Sequence, residues 1–170
     1  MANFKIKQLE SFLAEKDIEL IKVLHASNEK YEKLMEDGNL SFMQKRRLKK
    51  LVTNIDFKAL NSNEGQLDTS KLKLSQRIFK IRTLSQYLID NYQLELYKAI
   101  SITEEKMHGI LDGCDYPNNS TCCRIAQYFL MSPDALLDDD EKLPDSNVLK
   151  VDDVLVAAQK KNYENLAEYY

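Results

Sequence analysis

The sequence predicts an all-α protein, and three observations support that prediction. Among its 170 residues are only four glycines and three prolines, the residues that most often interrupt helices. Hydrophobic residues make up 44% and charged residues 30%, as in a folded domain with a buried core. Apolar residues recur every three or four positions along most of the chain, which is the spacing of one buried helical face.

The helical patterns fall into two series with a polar stretch between them. The first series is expected near residues 4–16, 18–25, 28–37, 41–53 and 56–60. The stretch 61–68, which contains Gly65, is the predicted linker. The second series is expected near residues 69–91 (one long helix, or two broken near 82), 93–100, 103–112, 121–130, 133–137 and 147–167. We therefore predict helical domains at 1–62 and 69–140, followed by a C-terminal helix at 146–170.

The clearest local pattern is a pair of short helices in the stretch 92–113. Ser101 interrupts the apolar periodicity, and Thr103 then offers an oxygen that can cap a second helix. Glu104 and Glu105 occupy the first turn of that helix, where carboxylates suit the helix dipole, and Gly113 ends it. This order is typical of a DNA-binding helix-turn-helix. It is equally typical of a helical hairpin in any bundle.

The same pattern occurs earlier in the chain. Residues 17–37 align without gaps over residues 93–113, with identical residues at Glu19/Glu95, Leu20/Leu96, Lys22/Lys98, Glu29/Glu105 and Lys30/Lys106. Two amphipathic helix pairs can agree by chance, because such patterns align easily. The helix order, the turn and a following helix all recur, and this favours an internal duplication.

Residues 75–137 resemble the lambda-repressor-like helix-turn-helix family, which comprises the Cro-type or xenobiotic-response-element regulators. The residues that carry the resemblance are Gln93, Leu96, Ile102, Thr103, Ile110, Gly113, Pro117, Ile125, Ala126 and the closing run from Pro133 to Leu137. Ser101 stands where the family usually has a glycine, and Tyr97 where it usually has a small residue. Residues 5–60 look like a more degenerate copy. The resemblance implies two tandem helix-turn-helix bundles in a sequence-specific DNA-binding transcriptional regulator from a bacterial or phage-like setting.

The resemblance also implies which residues contact double-stranded DNA. In the family the second helix of the pair enters the major groove. The N-terminal ends of the helix before it and of the helix after it lie near the phosphates. Matched positions in the second domain are Gln93, Thr103, Glu104, Lys106, His108 and Asn118. Matched positions in the first domain are Ser27, Asn28, Lys30 and Lys33.

Charge distribution favours the first domain as the one that binds DNA. Residues 1–82 hold 17 Lys and Arg against 11 Asp and Glu, whereas residues 83–170 hold 7 against 16. Lys45, Arg46 and Arg47 belong to a basic run that follows the first candidate recognition helix, and such a run suits phosphates. A solvated helix face explains the run equally well by composition alone. The acidic second domain suggests an alternative function, a protein-interaction module (an anti-repressor or inhibitor) that keeps the fold without binding DNA.

Other classes of protein fit the sequence poorly. No run of 18 apolar residues exists and the N-terminal stretch lacks a signal-peptide core, so we expect no membrane association and a cytoplasmic location. The three cysteines, two of them adjacent, form neither a disulfide framework nor a zinc-ligand pattern. With two histidines and no phosphate-binding glycine loop, the chain is not expected to be an enzyme or to use a cofactor.

The C-terminal helix carries a stripe of valine and leucine. Such a stripe is a candidate homodimer surface, as for regulators that bind two-fold operators. Packing of the same stripe onto its own domain is the simpler explanation.

Overall fold

The computed structural model describes the backbone of residues 4–60 and 65–169, and side chains as far as residue 161. Within these residues the protein is built from eleven α-helices and two strands of two residues each, so the all-α class is confirmed. The chain divides into two compact units. Unit 1 comprises Met1–Ser75 and Asp112–Tyr116, and unit 2 comprises Gln76–Leu111 and Pro117–Tyr170.

Unit 1 contains five helices and a short strand pair. The helices are α1 Phe4–Ala14, α2 Leu20–Val23, α3 Asn28–Asp37, α4 Phe42–Leu51 and α5 Phe57–Leu60. Strand β1 (Val52–Thr53) pairs antiparallel with β2 (Lys73–Leu74). Helix α4 begins with a capping box, in which Ser41 and Gln44 satisfy each other's backbone N–H groups.

Unit 2 repeats the helix order of unit 1 and adds one helix. Its helices are α6 Arg77–Tyr92, α7 Leu96–Ala99, α8 Glu104–Asp112, α9 Asn119–Tyr128, α10 Asp134–Leu137 and α11 Asp153–Tyr169. In both units a long first helix precedes a four-residue helix, two helices of nine or ten residues and another of four.

Several boundaries differ from those expected from the sequence. Residues 69–76 were expected to begin a helix. Instead Thr69–Lys71 forms a 3-10 turn, Lys73–Leu74 is extended, and α6 is one unbroken helix that begins at Arg77. The reason is that Leu72 and Leu74 are both buried, at the two-residue spacing of a strand. Of the predicted linker at 61–68, positions 61–64 lie outside the described residues.

The backbone repeats as well as the helix order. Three pairs of residues that are not glycine have positive φ angles and are separated by 76 positions: Asp17 (56°) and Gln93 (53°), His25 (52°) and Ser101 (57°), and Asn54 (66°) and Leu130 (55°). Left-handed conformations are uncommon for such residues. Their recurrence at one spacing therefore supports the duplication more strongly than apolar periodicity, which many helix pairs share.

Each unit has its own core. In unit 1 the fully buried side chains include residues of α1, α2, α4 and α5 and of the segments on either side of α2: Ile6, Leu9, Leu13, Ile18, Leu20, Leu24, Leu48 and Leu60. In unit 2 the corresponding cluster includes Ile81, Leu84, Leu88, Leu96, Met107, Ile110, Ile125, Ala126, Phe129 and Leu136. Val151, just before α11, and Val156, within α11, are buried in the same cluster. Part of the C-terminal stripe thus packs onto its own unit, whereas Val154 and Leu155 are exposed and the homodimer contact stays a prediction.

One buried hydroxyl in the core of unit 2 has no hydrogen-bond partner among the described residues. It belongs to Tyr128, which is 4% exposed, and burial raises the pKa of this phenol to about 12. By contrast, Tyr87 in the same core donates its hydroxyl to the Leu149 carbonyl at 3.0 Å. The two tyrosines therefore form a matched pair.

We expect Tyr128→Phe to stabilise the protein and Tyr87→Phe to destabilise it. Removing an unsatisfied buried hydroxyl relieves its desolvation penalty, whereas removing Tyr87's hydroxyl leaves the Leu149 carbonyl without that partner. Each change should alter the free energy of unfolding by about 1 kcal/mol, in opposite directions. Urea denaturation followed by circular dichroism would measure both. Equal destabilisation by the two substitutions would show that the Tyr128 hydroxyl is satisfied.

Candidate nucleic-acid interface

The helix pair of unit 1 is formed by α2 and α3. Its turn includes His25 in the left-handed conformation, and Ser27 follows as the cap of α3. The Ser27 Oγ accepts a hydrogen bond from the Lys30 backbone N–H at 3.3 Å. Because the hydroxyl oxygen is used in this way, Ser27 has a structural role at the start of α3 while its side chain stays exposed.

The helix pair of unit 2, α7 and α8, has the same construction. Ser101 occupies the left-handed position at which the family usually has a glycine. Thr103 caps α8, with its Oγ1 accepting from the Lys106 backbone N–H at 3.1 Å. The resemblance implied that Gln93 lies at the start of α7, but α7 begins at Leu96. Gln93 is instead the C-terminal cap of α6, and it is exposed.

An arginine stabilises each turn from the following long helix. Arg47 on α4 donates from Nη1 to the Leu24 carbonyl at 3.3 Å, and Arg124 on α9 donates to the Ile100 carbonyl. The carbonyls are 76 positions apart and the arginines 77. The shared contact shows that Arg47 helps to hold the α2–α3 turn. Sequence reasoning assigned it to DNA and missed this role, although the aligned arginines were a usable signal.

The other predicted residues lie at the surface, as a nucleic-acid contact requires. On and around the second helices of the two pairs, the exposed residues are Asn28, Lys30, Lys33, Glu104, Lys106 and His108. His108 lies 3.8 Å from Glu104, one helical turn away. Asn118 is exposed and caps α9 by accepting from the Thr121 backbone N–H at 2.8 Å.

The two candidate recognition helices are acidic. Helix α3 contains two lysines and four acidic residues, and α8 contains one lysine and three. Neither helix alone suits a phosphate backbone, because DNA affinity comes largely from cations. Cations must therefore come from neighbouring elements if either unit binds DNA.

Helix α4 supplies such cations in unit 1. Its ten residues include five Lys and Arg and no acid. Arg46, Lys49 and Lys50 are exposed, Lys45 is half-buried, and none of the four forms a hydrogen bond or ion pair through its side chain with the described residues. Phe42, at the start of α4, is 77% exposed. We call Lys45, Arg46, Lys49 and Lys50 the α4 cations.

The difference in charge between the units is smaller than the difference between the sequence halves. Unit 1 carries 14 Lys and Arg against 13 Asp and Glu, and unit 2 carries 10 against 14. The expected asymmetry shrinks because Arg77, Lys80 and Arg82 belong to unit 2, whereas Asp112 and Asp115 belong to unit 1. A local cluster, rather than the net charge of a unit, is therefore the relevant electrostatic feature.

The segment Asp112–Tyr116 packs within unit 1. His25 donates from Nε2 to the Cys114 carbonyl at 2.7 Å, and Ser75 and Tyr116 share a hydrogen bond of 2.8 Å between their hydroxyls. Lys22 lies 3.9 Å from Asp112. Nothing in the sequence pattern indicated that this segment belongs with the earlier part of the chain.

The cysteines show no feature of a reactive or metal-bound thiol. All three are free; burial raises the pKa of Cys114, with Asp112 and Asp115 adding to the effect, and burial likewise raises that of Cys122. Both thiols are therefore held in the protonated form, which is a poor nucleophile. Among the described residues there is no group of three or more His, Cys, Asp or Glu side chains placed to hold a metal.

Comparison with protein-family models, curated proteins and solved structures found no match. The function must therefore be argued from the chain's own geometry. Of the helices in the described part of the chain, none has the length and apolar character needed to cross a bilayer.

Proposed function

We propose that this protein is a sequence-specific DNA-binding transcriptional regulator with two lambda-repressor-like helix-turn-helix units, in which unit 1 supplies the main contact with double-stranded DNA. The single observation that carries the proposal is the set of α4 cations beside a capped helix pair. These cations have no side-chain ion-pair partner among the described residues. When such side chains neutralise phosphates, the counterions condensed on the DNA are released, and this release drives DNA binding.

The repeated architecture supports the fold part of the proposal. Both units have the five-helix order that the resemblance implies, with capped second helices and turns in the left-handed conformation. In each unit a four-residue helix precedes the capped helix. The capped helix is exposed at Lys30 and Lys33 in α3, and at Lys106 in α8. Exposure of one helix face beside a basic neighbour is what major-groove binding requires.

Unit 1 is the better candidate for the DNA contact because of the helix that follows its pair. The α4 cations have no counterpart in α9, whose only charged residue is Arg124. Since Arg124 donates to the Ile100 carbonyl, that single cation is already engaged. In this proposal Asn28, Lys30 and Lys33 contact bases or phosphates, and the α4 cations contact phosphates.

Salt-dependent binding to duplex DNA tests the proposal. We expect the full chain to shift a pool of randomised duplex DNA, with the logarithm of affinity falling linearly against the logarithm of salt concentration. Three or four phosphate contacts would give a slope of about −3 to −4. Absence of binding at about 50 mM salt, where such contacts are strongest, would refute DNA binding.

A second candidate function is a protein-interaction module that keeps this fold without binding DNA. The observation that favours it is the acidic first turn of α8, where Glu104 and Glu105 are both exposed. Acidic helix faces repel phosphates and suit a basic protein partner. A chain that fails the DNA assay would leave this function as the one to pursue.

A further inference from the structure

Unit 1 contains a cavity of about 280 Å³ beside the α2–α3 turn. Its walls come from α2, the turn, α4 and the Asp112–Tyr116 segment: Val23, His25, Arg47, Lys50, Leu51, Gly113, Cys114, Asp115 and Tyr116. The volume lies at the lower end of the range for small-molecule sites, so it suits a ligand of a few non-hydrogen atoms rather than a nucleotide.

The polar lining of the cavity is mainly cationic. Arg47 and Lys50 are the basic residues of the lining, and Asp115 is its one carboxylate. The Lys50 side chain forms no hydrogen bond or ion pair with the described residues, and the Arg47 side chain uses Nη1 alone, toward the Leu24 carbonyl. The His25 Nε2 already donates to the Cys114 carbonyl. The N–H groups that remain available toward an anion are therefore those of Arg47 and Lys50.

Comparison with unit 2 shows which residues of this lining also occur in the other unit and which are specific to unit 1. Arg47 has its counterpart in Arg124, which makes the same contact with a turn carbonyl. At the positions that match His25 and Lys50, 76 and 77 residues later, unit 2 has Ser101 and Gln127. The fold therefore forms without an imidazole or an ammonium group there. Neither side chain is needed to build the turn.

We propose that this cavity is a binding site for a small phosphomonoester, with Arg47 and Lys50 as its donors. A guanidinium and an ammonium group together match the charge and the several acceptor oxygens of a phosphate dianion. The limited volume restricts the organic part of the ligand to a few atoms. The site shares Lys50 with the α4 cations, whereas Arg47 is not one of them, and its occupation by a small anion does not require that the protein bind DNA.

Titration of the full chain with inorganic phosphate and then methyl phosphate, at constant ionic strength, tests the proposal. Nuclear magnetic resonance of the backbone amides should show saturable shifts at His25, Lys50 and Gly113–Tyr116. We expect Lys50→Gln to weaken binding about tenfold, because a charge-assisted hydrogen bond is lost. Lys58→Gln is the matched control: it removes the same charge from an exposed position of unit 1 that does not line the cavity.

One further variant keeps the test decisive. Asp115→Asn should strengthen phosphate binding, because it removes the carboxylate that opposes the anion. Shifts that do not saturate, or equal losses from Lys50→Gln and Lys58→Gln, would overturn the proposal. DNA binding is measured separately on the same variants. Neither the presence nor the absence of DNA binding changes the conclusion about phosphate binding.

Discussion

Replacing Lys45, Arg46 and Lys49 together with glutamine should lower the affinity for duplex DNA about a hundredfold near 0.1 M salt. Each neutralised cation removes one phosphate contact, so the slope of log affinity against log salt should also fall by about 0.9 per residue. The folded structure should persist, because Arg46 and Lys49 are exposed and Lys45 is half-buried with no side-chain partner among the described residues. Mobility shifts at several salt concentrations, with melting curves, measure both effects.

A matched control separates local contacts from net charge. Lys142, Lys150 and Lys161 are three exposed lysines of unit 2. Their replacement by glutamine makes the same change in charge, and we expect it to leave the salt slope unchanged. If the two triple variants lose affinity equally, α4 is not the DNA contact. Arg47 is left out of the first set because its substitution would also disturb the α2–α3 turn.

Gly113→Ala should destabilise unit 1 by about 2–3 kcal/mol, since a left-handed alanine alone costs about 1–2 kcal/mol. Gly113 has a φ angle of 85°, and a Cβ atom there would lie 3.1 Å from the Ile18 Cγ2 atom. Ile18 is fully buried, so its side chain has little room to move. The melting temperature should fall by roughly 5–10 °C for a chain of this length.

Gly65→Ala is the control for that substitution. Gly65 also has a positive φ, 76°, but no described atom outside its two chain neighbours lies within 4 Å of an added Cβ. We expect a loss of about 1 kcal/mol there, from backbone strain alone. The difference between the two variants measures the packing of Asp112–Tyr116 in unit 1. Equal losses would show that Gly113 does not pack closely against Ile18.

Periodicity and capping chemistry predicted the elements well. The apolar stripes of α1, α3, α8 and α9 were visible because a buried face recurs at the helical period. Thr103 was expected to offer a cap oxygen and caps α8 in the structure, and cap oxygens act on N–H groups two or three residues away. Such short-range interactions can be inferred from neighbours in the sequence.

The apolar periodicity was less informative where the same residues fit both a helix and an extended strand. Leu72 and Leu74 fitted a helix that continued to residue 91, yet they lie in extended chain beside and within β2. Their partner strand β1 is about twenty positions earlier, beyond the reach of any local signal. The early part of α7 was overestimated for a similar reason, because Leu94 is buried without being helical.

Of the candidate site, sequence similarity within the chain identified the two helix pairs and the exposed lysines of α3 and α4. It did not distinguish Arg46, which is exposed, from Arg47, which donates to the Leu24 carbonyl. Two adjacent arginines have the same side chain, so the sequence does not show which of them is exposed. Which one faces solvent depends on the rotation of α4 against α2, and that is fixed by packing.

The sequence by itself determined the helical class, the capped helix pairs and their repetition, because these follow from periodicity and from contacts within one turn. Tertiary structure alone decided that Asp112–Tyr116 belongs to unit 1, that His25 bonds the Cys114 carbonyl, and that Lys50 lines a cavity while Lys49 does not. The hydrogen bond between His25 and Cys114 joins residues 89 positions apart. Long-range contacts of this kind arise from the packing of complete elements, and no local pattern encodes them.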